Sequence, residues 1–188
     1  MEAGREAADM NETHYHDMGP SPFLAEHLHL LPVGRALDLA MGYGRHALFL
    51  ARAGFEAEGM DISPEAVALK AAEEAGVRLT ARVVDLESGE VAVPREAYDV
   101  IVCFNYLHRP LFPAIKAGLR VGGVVVYETF IVDQARFGRP RNPDHLLRHN
   151  ELLHLFQDFR CLRYHEGLMG VDRAVAGIIA EKTKEEGR

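Results

Sequence analysis

The segment LDLAMGYGRHALFLA, residues 37–51, limits the possible folds more than any other part of the chain. Its apolar start reads as a strand, and Gly42-Tyr43-Gly44 leads from that strand directly into a helical pattern. Glycines at 42 and 44 let the backbone turn tightly and let a ligand approach where a Cβ would clash, while a helix N-terminus offers unpaired N–H groups. A strand, a glycine turn and a helix in that order open a βαβ unit with a site for a nucleotide-type ligand.

The rest of the chain keeps the same rhythm. A helix from Ser21, with Pro at its first position, ends before Pro32-Val33-Gly34. Strands follow at RALDLA, EAEGMD, RLTARVVD and YDVIVCFN, separated by helices over 43–53 and 64–75, the second capped by Ser63. A helix over 110–119 leads through Arg120-Val121-Gly122-Gly123 into VVVYETF, a run suited to a strand buried on both faces. Residues 131–150 form a long irregular stretch, too polar for the core and too long for an idle connection. The chain closes with a helix over 150–157, the strand FRCLRYHEG, a turn near 169–172 and the strand AVAGIIAE. Two strands joined without a helix are antiparallel neighbours. The expected fold is α/β, a Rossmann-like doubly wound seven-stranded sheet, mostly parallel, with an antiparallel C-terminal strand.

At 188 residues this is expected to be a single domain over 1–188, with a flexible N-terminal segment over 1–20. A net charge of −7 opposes non-specific attraction to phosphate backbones or anionic lipid, so neither nucleic acid nor membrane is an expected partner. The two cysteines, Cys103 and Cys161, both fall in stretches read as buried strands, and two thiols cannot staple a secreted scaffold. With neither a spanning apolar run nor a signal-peptide layout, the chain is expected to be soluble, unprocessed and cytoplasmic.

Two more acids sharpen the ligand. Asp61 ends the second strand and Asp85 the third, and ligands of such sheets sit outside the carboxyl ends of the strands. An acid after the second strand can accept both ribose hydroxyl protons, and one after the third can accept from an adenine amino group. Gly42-x-Gly44-x-x-Ala47 also satisfies the dinucleotide fingerprint, which keeps an NAD-dependent oxidoreductase in play. Asp38, inside the first strand, suits an adenosine ligand bearing a cation better than a pyrophosphate, and this favours S-adenosylmethionine.

In the order DLAMGYG, GMDIS, VVDLES, YDVIVCFNYL and RVGGVVVYETF the chain resembles the class I S-adenosylmethionine-dependent methyltransferases, over about residues 21–181. More narrowly it resembles the tellurite-resistance-type methyltransferases, whose loop usually reads Gly-x-Gly-Arg-Asn. His46 stands where that Asn is expected, and Ala40 where many members carry Gly. The resemblance implies Asp38, Ala40, Gly42 and Gly44 around the methionine part of the cofactor and Asp61 and Ile62 at the ribose. It also implies Asp85 and Leu86 at the adenine and Asn105 beside the transferring methyl, with the N-terminal segment closing over the cofactor.

The acceptor is expected to be a small molecule, methylated by in-line displacement without an obligatory base. Phe104-Asn105-Tyr106-Leu107 lacks the Asn-Pro-Pro-aromatic run of many amino-group methyltransferases of DNA and protein. Residues 133–150 carry a net charge of +2 within a chain of −7, which suits an anionic acceptor held by Arg139 and Arg141. Glu128, near the end of the fifth strand, is a further substrate-side residue, and Tyr15, His16 and His108 are the candidates for acceptor-side chemistry. His14-x-His16 and His27-x-His29 have no completing carboxylate, so no metal site is expected. A non-catalytic S-adenosylmethionine-binding protein stays open as the third reading.

Overall fold

A computed structural model of the chain describes residues 19–62, 72–89 and 93–184. Its first element is a short helix, α1 (Pro22–Glu26), whose N-cap Ser21 accepts from the Phe23 N–H and whose first position is Pro22. Then come β1 (Arg35–Leu39), α2 (Arg45–Arg52), β2 (Glu56–Asp61), β3 (Leu79–Val83) and β4 (Tyr98–Phe104). The second half holds α3 (Phe112–Gly118), β5 (Leu119–Phe130), α4 (Glu151–Leu155), β6 (Arg160–Met169) and β7 (Arg173–Glu181).

All seven strands join one sheet in the order β3-β2-β1-β4-β5-β7-β6. Neighbours from β3 to β5 are parallel, and β7 runs antiparallel to both β5 and β6. The central strands are covered on both faces, as their nearly continuous apolar sequences require. Leu37, Leu39, Ile101, Cys103, Val125 and Tyr127 face one layer with Phe112 and Ile115 of α3 and Leu152 of α4. Their alternates Ala36, Val100, Val102, Val124 and Val126 face the other with Leu24 of α1 and Leu50 of α2. The sheet changes direction between β1 and β4, and the loops that leave these two strands flank a crevice there.

Several expectations shift. The helix expected over 43–53 begins at Arg45, because Gly44 at φ +72° is left-handed and cannot continue it. Of the helix expected over 64–75, residues 72–75 are helical, while 64–71 and the cap Ser63 lie outside the described residues. The fifth strand begins at Leu119 instead of after Gly123. Gly122 N–H donates to the Lys182 carbonyl and Lys182 N–H to the Gly123 carbonyl, so the end of the chain gives these glycines a ladder partner.

Cys161 is exposed, against the buried position expected for it. β6 is an edge strand with a register shift between Cys161 and Arg163, which leaves the thiol on the outer side. The stretch 131–150 does contribute to the core, since Ile131, Gln134, Leu146 and Leu147 are buried and Ile131 bridges to Leu147. The expected N-terminal segment over 1–20 lies outside the described residues except for Gly19 and Pro20.

Candidate cofactor and acceptor site

The turn after β1 is built from left-handed residues. Ala40 has φ +55°, Gly42 φ +52° and Gly44 φ +72°. A Cβ at Gly42 would meet no atom within 4 Å, so its backbone faces open space. Its N–H donates to Asp61 Oδ2 at 2.9 Å, which joins the turn to the end of β2. One residue earlier, Met41 packs on β2, where a Cβ at Gly59 would fall 1.9 Å from its Sδ, so the glycine leaves room for that side chain as it lies.

Asp38 lies beneath this turn, 1% exposed, and its Oδ2 accepts from the Ala47 N–H in the first turn of α2 at 3.0 Å. Burial pushes its carboxyl up to about 7, against the lowering effects of the Ala47 bond and of Arg45. A carboxyl held near neutrality at a helix N-terminus favours an incoming cation, which would draw it to the charged form.

Beside it is a cleft of about 480 Å³ lined by Ala40, Asp61, Ile62, Asp85, Leu86, Glu87 and Tyr106. Ile62 is exposed and Leu86 buried, so the cleft combines an apolar surface with carboxylates. Asp85 Oδ1 also accepts from the Glu87 N–H at 2.9 Å, and Ser88 Oγ donates to the Asp85 carbonyl at 2.8 Å, closing the turn after β3. The lining suits an adenosine: carboxylates to accept hydroxyl and amino protons, apolar side chains for the base, and a left-handed turn open to a chain-like substituent.

A second cleft, of about 680 Å³, opens beyond Tyr106, which lines both. Asn105, Leu107, Phe130, Arg139, Pro140, His145, Arg173 and Arg45 complete its lining. Under it Glu128 is 4% exposed and surrounded by donors. Ser21 Oγ donates to Glu128 Oε1 at 3.2 Å and Arg173 Nη2 donates to the same oxygen at 2.9 Å. His165 Nε2 stands 3.2 Å from Oε2 without hydrogen-bond alignment. Burial favours the neutral acid, but His165, Arg173 and Ser21 outweigh it and hold the carboxyl below its ordinary value. Arg173 Nη2 also donates to Asn105 Oδ1 at 3.0 Å.

His46, which takes the place of the expected Asn, is buried and stacks on Phe104 with ring centroids 4.1 Å apart. Burial, then Arg45 and Arg173, push it down to about 3, so it is neutral, and its Nε2 has no partner among the described residues.

The irregular stretch is fixed by Arg109. Its Nε donates to Glu151 Oε1 at 2.6 Å and its Nη2 to Glu151 Oε2 at 3.0 Å. The same guanidinium donates to the carbonyls of Asp144 and Leu146, each at 2.9 Å, on either side of His145 in the cleft wall.

The residues named from sequence are therefore distributed as follows. Asp38, Ala40, Gly42, Gly44, Asp61, Ile62, Asp85 and Leu86 all lie at the carboxyl ends of β1 to β3. Asn105 and Arg139 line the second cleft, whereas Arg141 is exposed outside its lining. Glu128 reaches that cleft only through Arg173. His108 is half-buried at the start of the 109–111 turn and is not part of the lining. Tyr15 and His16 lie outside the described residues. Sequence reasoning missed Tyr106, Phe130, His145 and Arg173. Arg173 had a usable signal: the first residue of an antiparallel return strand lies at the carboxyl end of the strand it pairs with.

Residues 36–123 match a family model described as a methyltransferase domain. By this match and by its seven-stranded mixed sheet the chain is similar to methyltransferase domains of the Rossmann-like fold. That likeness favours methyl transfer over the nicotinamide-dependent reading of the glycine loop. Among curated proteins, hemagglutinin 1 of Eikenella corrodens is 32% identical over 148 residues, covering 72% of this chain and 47% of that protein. The chain thus spans about half the length of that relative.

Of solved structures, TehB from Haemophilus influenzae superposes with a TM-score of 0.72 at 20% identity, covering 87% of this chain and 62% of that one. The 1,6-didemethyltoxoflavin-N1-methyltransferase of Burkholderia thailandensis, solved with 1,6-didemethyltoxoflavin and S-adenosylhomocysteine bound, gives 0.70 at 18% identity, covering 94% of this chain and 84% of that one. At these identities the likeness shows a shared fold. Among the described residues, no helix is long and apolar enough to cross a membrane, and no cluster of three His, Cys, Asp or Glu is placed to hold a metal ion.

Proposed function

We propose that this protein moves a methyl group from S-adenosylmethionine to a small anionic acceptor by in-line displacement. The observation that carries the reading is the meeting of two clefts of different chemistry at Tyr106, with Asn105 beside the junction. When bound, S-adenosylmethionine supplies a methyl on a positively charged sulfonium. Asp61 and Ile62 hold the ribose in this reading, Asp85 and Leu86 the adenine, and Asp38 with the turn Ala40, Gly42 and Gly44 the cationic methionine part. Asn105, held by Arg173, borders the methyl end.

The second cleft aligns the acceptor and excludes water, and alignment in a dry pocket can supply much of the catalysis of a displacement. For this reason no proton transfer is assigned to His108, which is outside the lining, or to Tyr15 and His16, which stay acceptor-side candidates from the sequence alone. Arg139 and Arg173 favour a negative charge on the acceptor, and Arg141, outside the lining, acts at most as a steering charge. A cytoplasmic location accords with two free thiols, Cys103 and Cys161.

The test is incubation with S-adenosylmethionine labelled in its methyl group and a panel of small organic acids, thiols and oxyanions, following label transfer and S-adenosylhomocysteine release. Acceptor-dependent release is expected. Tight binding of S-adenosylmethionine with no turnover on any anion would move the protein to the non-catalytic binder, and binding of NAD instead would remove the reading altogether.

A further inference from the structure

We infer that the acceptor is an organic carboxylate with an apolar body, rather than an inorganic oxyanion, and that Arg173, set by Glu128 and Asn105, reads its charge. The inference rests on the methyl-transfer reading only for the name of the ligand; the shape and chemistry of the cleft stand by themselves.

Size is the first argument. The cleft of about 680 Å³ has room for on the order of twenty waters at ~30 Å³ each, and pockets of roughly 300–1,000 Å³ are those that enclose organic ligands. An inorganic oxyanion would leave most of that space wet. The walls are the second. Leu107, Phe130, Pro140 and the Tyr106 ring give apolar surface, and the lining contains no carboxylate among the described residues. A small hydrated anion gains nothing from such walls, whereas an aryl or branched alkyl group is buried by them.

The third argument is the way Arg173 is held. Its Nη2 is committed to Asn105 and Glu128, and its guanidinium lies 5.7 Å from the Phe130 ring centroid. Nη1 and Nε make no bond to the described protein, so a fixed cation presents its remaining donors beside an apolar wall. Glu128 is thus a positioning residue, not a substrate contact. Arg139, which is exposed, and Arg45 add two further cations at the same cleft.

The inference is tested by calorimetric titration of the full chain, with and without saturating S-adenosylhomocysteine, against 3-phenylpropanoate, its neutral amide 3-phenylpropanamide, and sulfate. The acid is expected to bind at least tenfold more tightly than the amide and than sulfate. Arg139→Met should weaken the acid several-fold and leave the amide unchanged. Arg173→Lys should retain part of the preference and Arg173→Met with Glu128→Gln, which removes both charges together, should abolish it. Because Arg139 is exposed, its variant keeps the test informative should the Arg173–Glu128 pair prove necessary for folding. S-adenosylhomocysteine affinity should stay within twofold in Arg139→Met, which lies away from the residues assigned to the cofactor. Equal binding of acid and amide, sulfate as good as the acid, no binding by any probe, or insensitivity to Arg139 and Arg173 would overturn the inference. Failure of S-adenosylhomocysteine to bind the wild-type chain would sink the methyl-transfer reading instead, while the ranking of acid over amide would still report on the cleft.

Discussion

Asp38 shows how a single buried group can link the fold to its ligand. Its carboxyl, raised by burial from 3.8 to about 7, binds a proton in the folded state that the unfolded chain has already released. Its contribution to stability is therefore complete below the ordinary carboxyl range and is lost as pH rises through about 7. Thermal unfolding of the free protein from pH 4 to 8 should show this decline, and Asp38→Asn should flatten it. A cationic cofactor favours the ionised form, so affinity for S-adenosylmethionine should rise over the same window; an affinity that falls with pH there would place the cation elsewhere.

Ala40 offers a simpler test at this scale. A left-handed backbone costs an L-residue roughly 1–2 kcal/mol, and glycine gives back about half of that in unfolded-state entropy. Ala40→Gly should then raise stability by about 0.5–1 kcal/mol in a denaturant titration. Asp38, Gly42 and Asp61 were legible in the sequence because local sterics and strand ends define their places. For Arg173 the antiparallel return indicated only the end of the sheet; its contact with Asn105 spans 68 residues and exists only through strand register.

At the scale of elements, the stretch 131–150 could be recognised as non-idle from its length, but not how it is held. Arg109 and Glu151 are 42 residues apart, and nothing local in either sequence marks them as partners. Their two-pronged contact and the two carbonyl bonds of Arg109 fix the wall that carries His145. Glu151→Gln keeps the shape and removes the charge, so a loss of about 1 kcal/mol is expected, reduced by partial exposure. The more specific result is local: amide exchange should quicken over 139–147 and remain unchanged in β4 and β5. Uniform quickening would mean that the pair supports the whole fold, not the wall.

Edge and centre also differ in how readable they are. The middles of β4 and β5, residues 100–104 and 124–127, buried on both faces, declare themselves by unbroken apolar runs. In β6 the alternation is interrupted by a register shift, and that interruption puts Cys161 outside. The early start of β5 depends on Lys182, remote in sequence, which supplies partners for Gly122 and Gly123.

Across the whole molecule, function follows from strand order. The parallel strands β1 to β4 bring three acids and the glycine turn to one end, and the switch between β1 and β4 opens a crevice there. The antiparallel β7 then starts at that same end, which is why a residue as late as Arg173 stands beside Asn105. The alternation of strands and helices made the first half of this arrangement readable and the antiparallel return made the second half deducible, but the pairing of the two clefts needed coordinates.

The central claim is that the end of β2 holds an adenosyl cofactor, and it is tested most directly by calorimetry of the full chain with S-adenosylmethionine, S-adenosylhomocysteine and NAD, beside Asp61→Ala. Asp61 bonds the Gly42 N–H, so its loss should both remove a ribose acceptor and loosen the turn. The account predicts binding of both adenosyl sulfur compounds, none of NAD, and a loss of at least tenfold in Asp61→Ala. Binding of NAD alone, or adenosyl binding indifferent to Asp61, would contradict it.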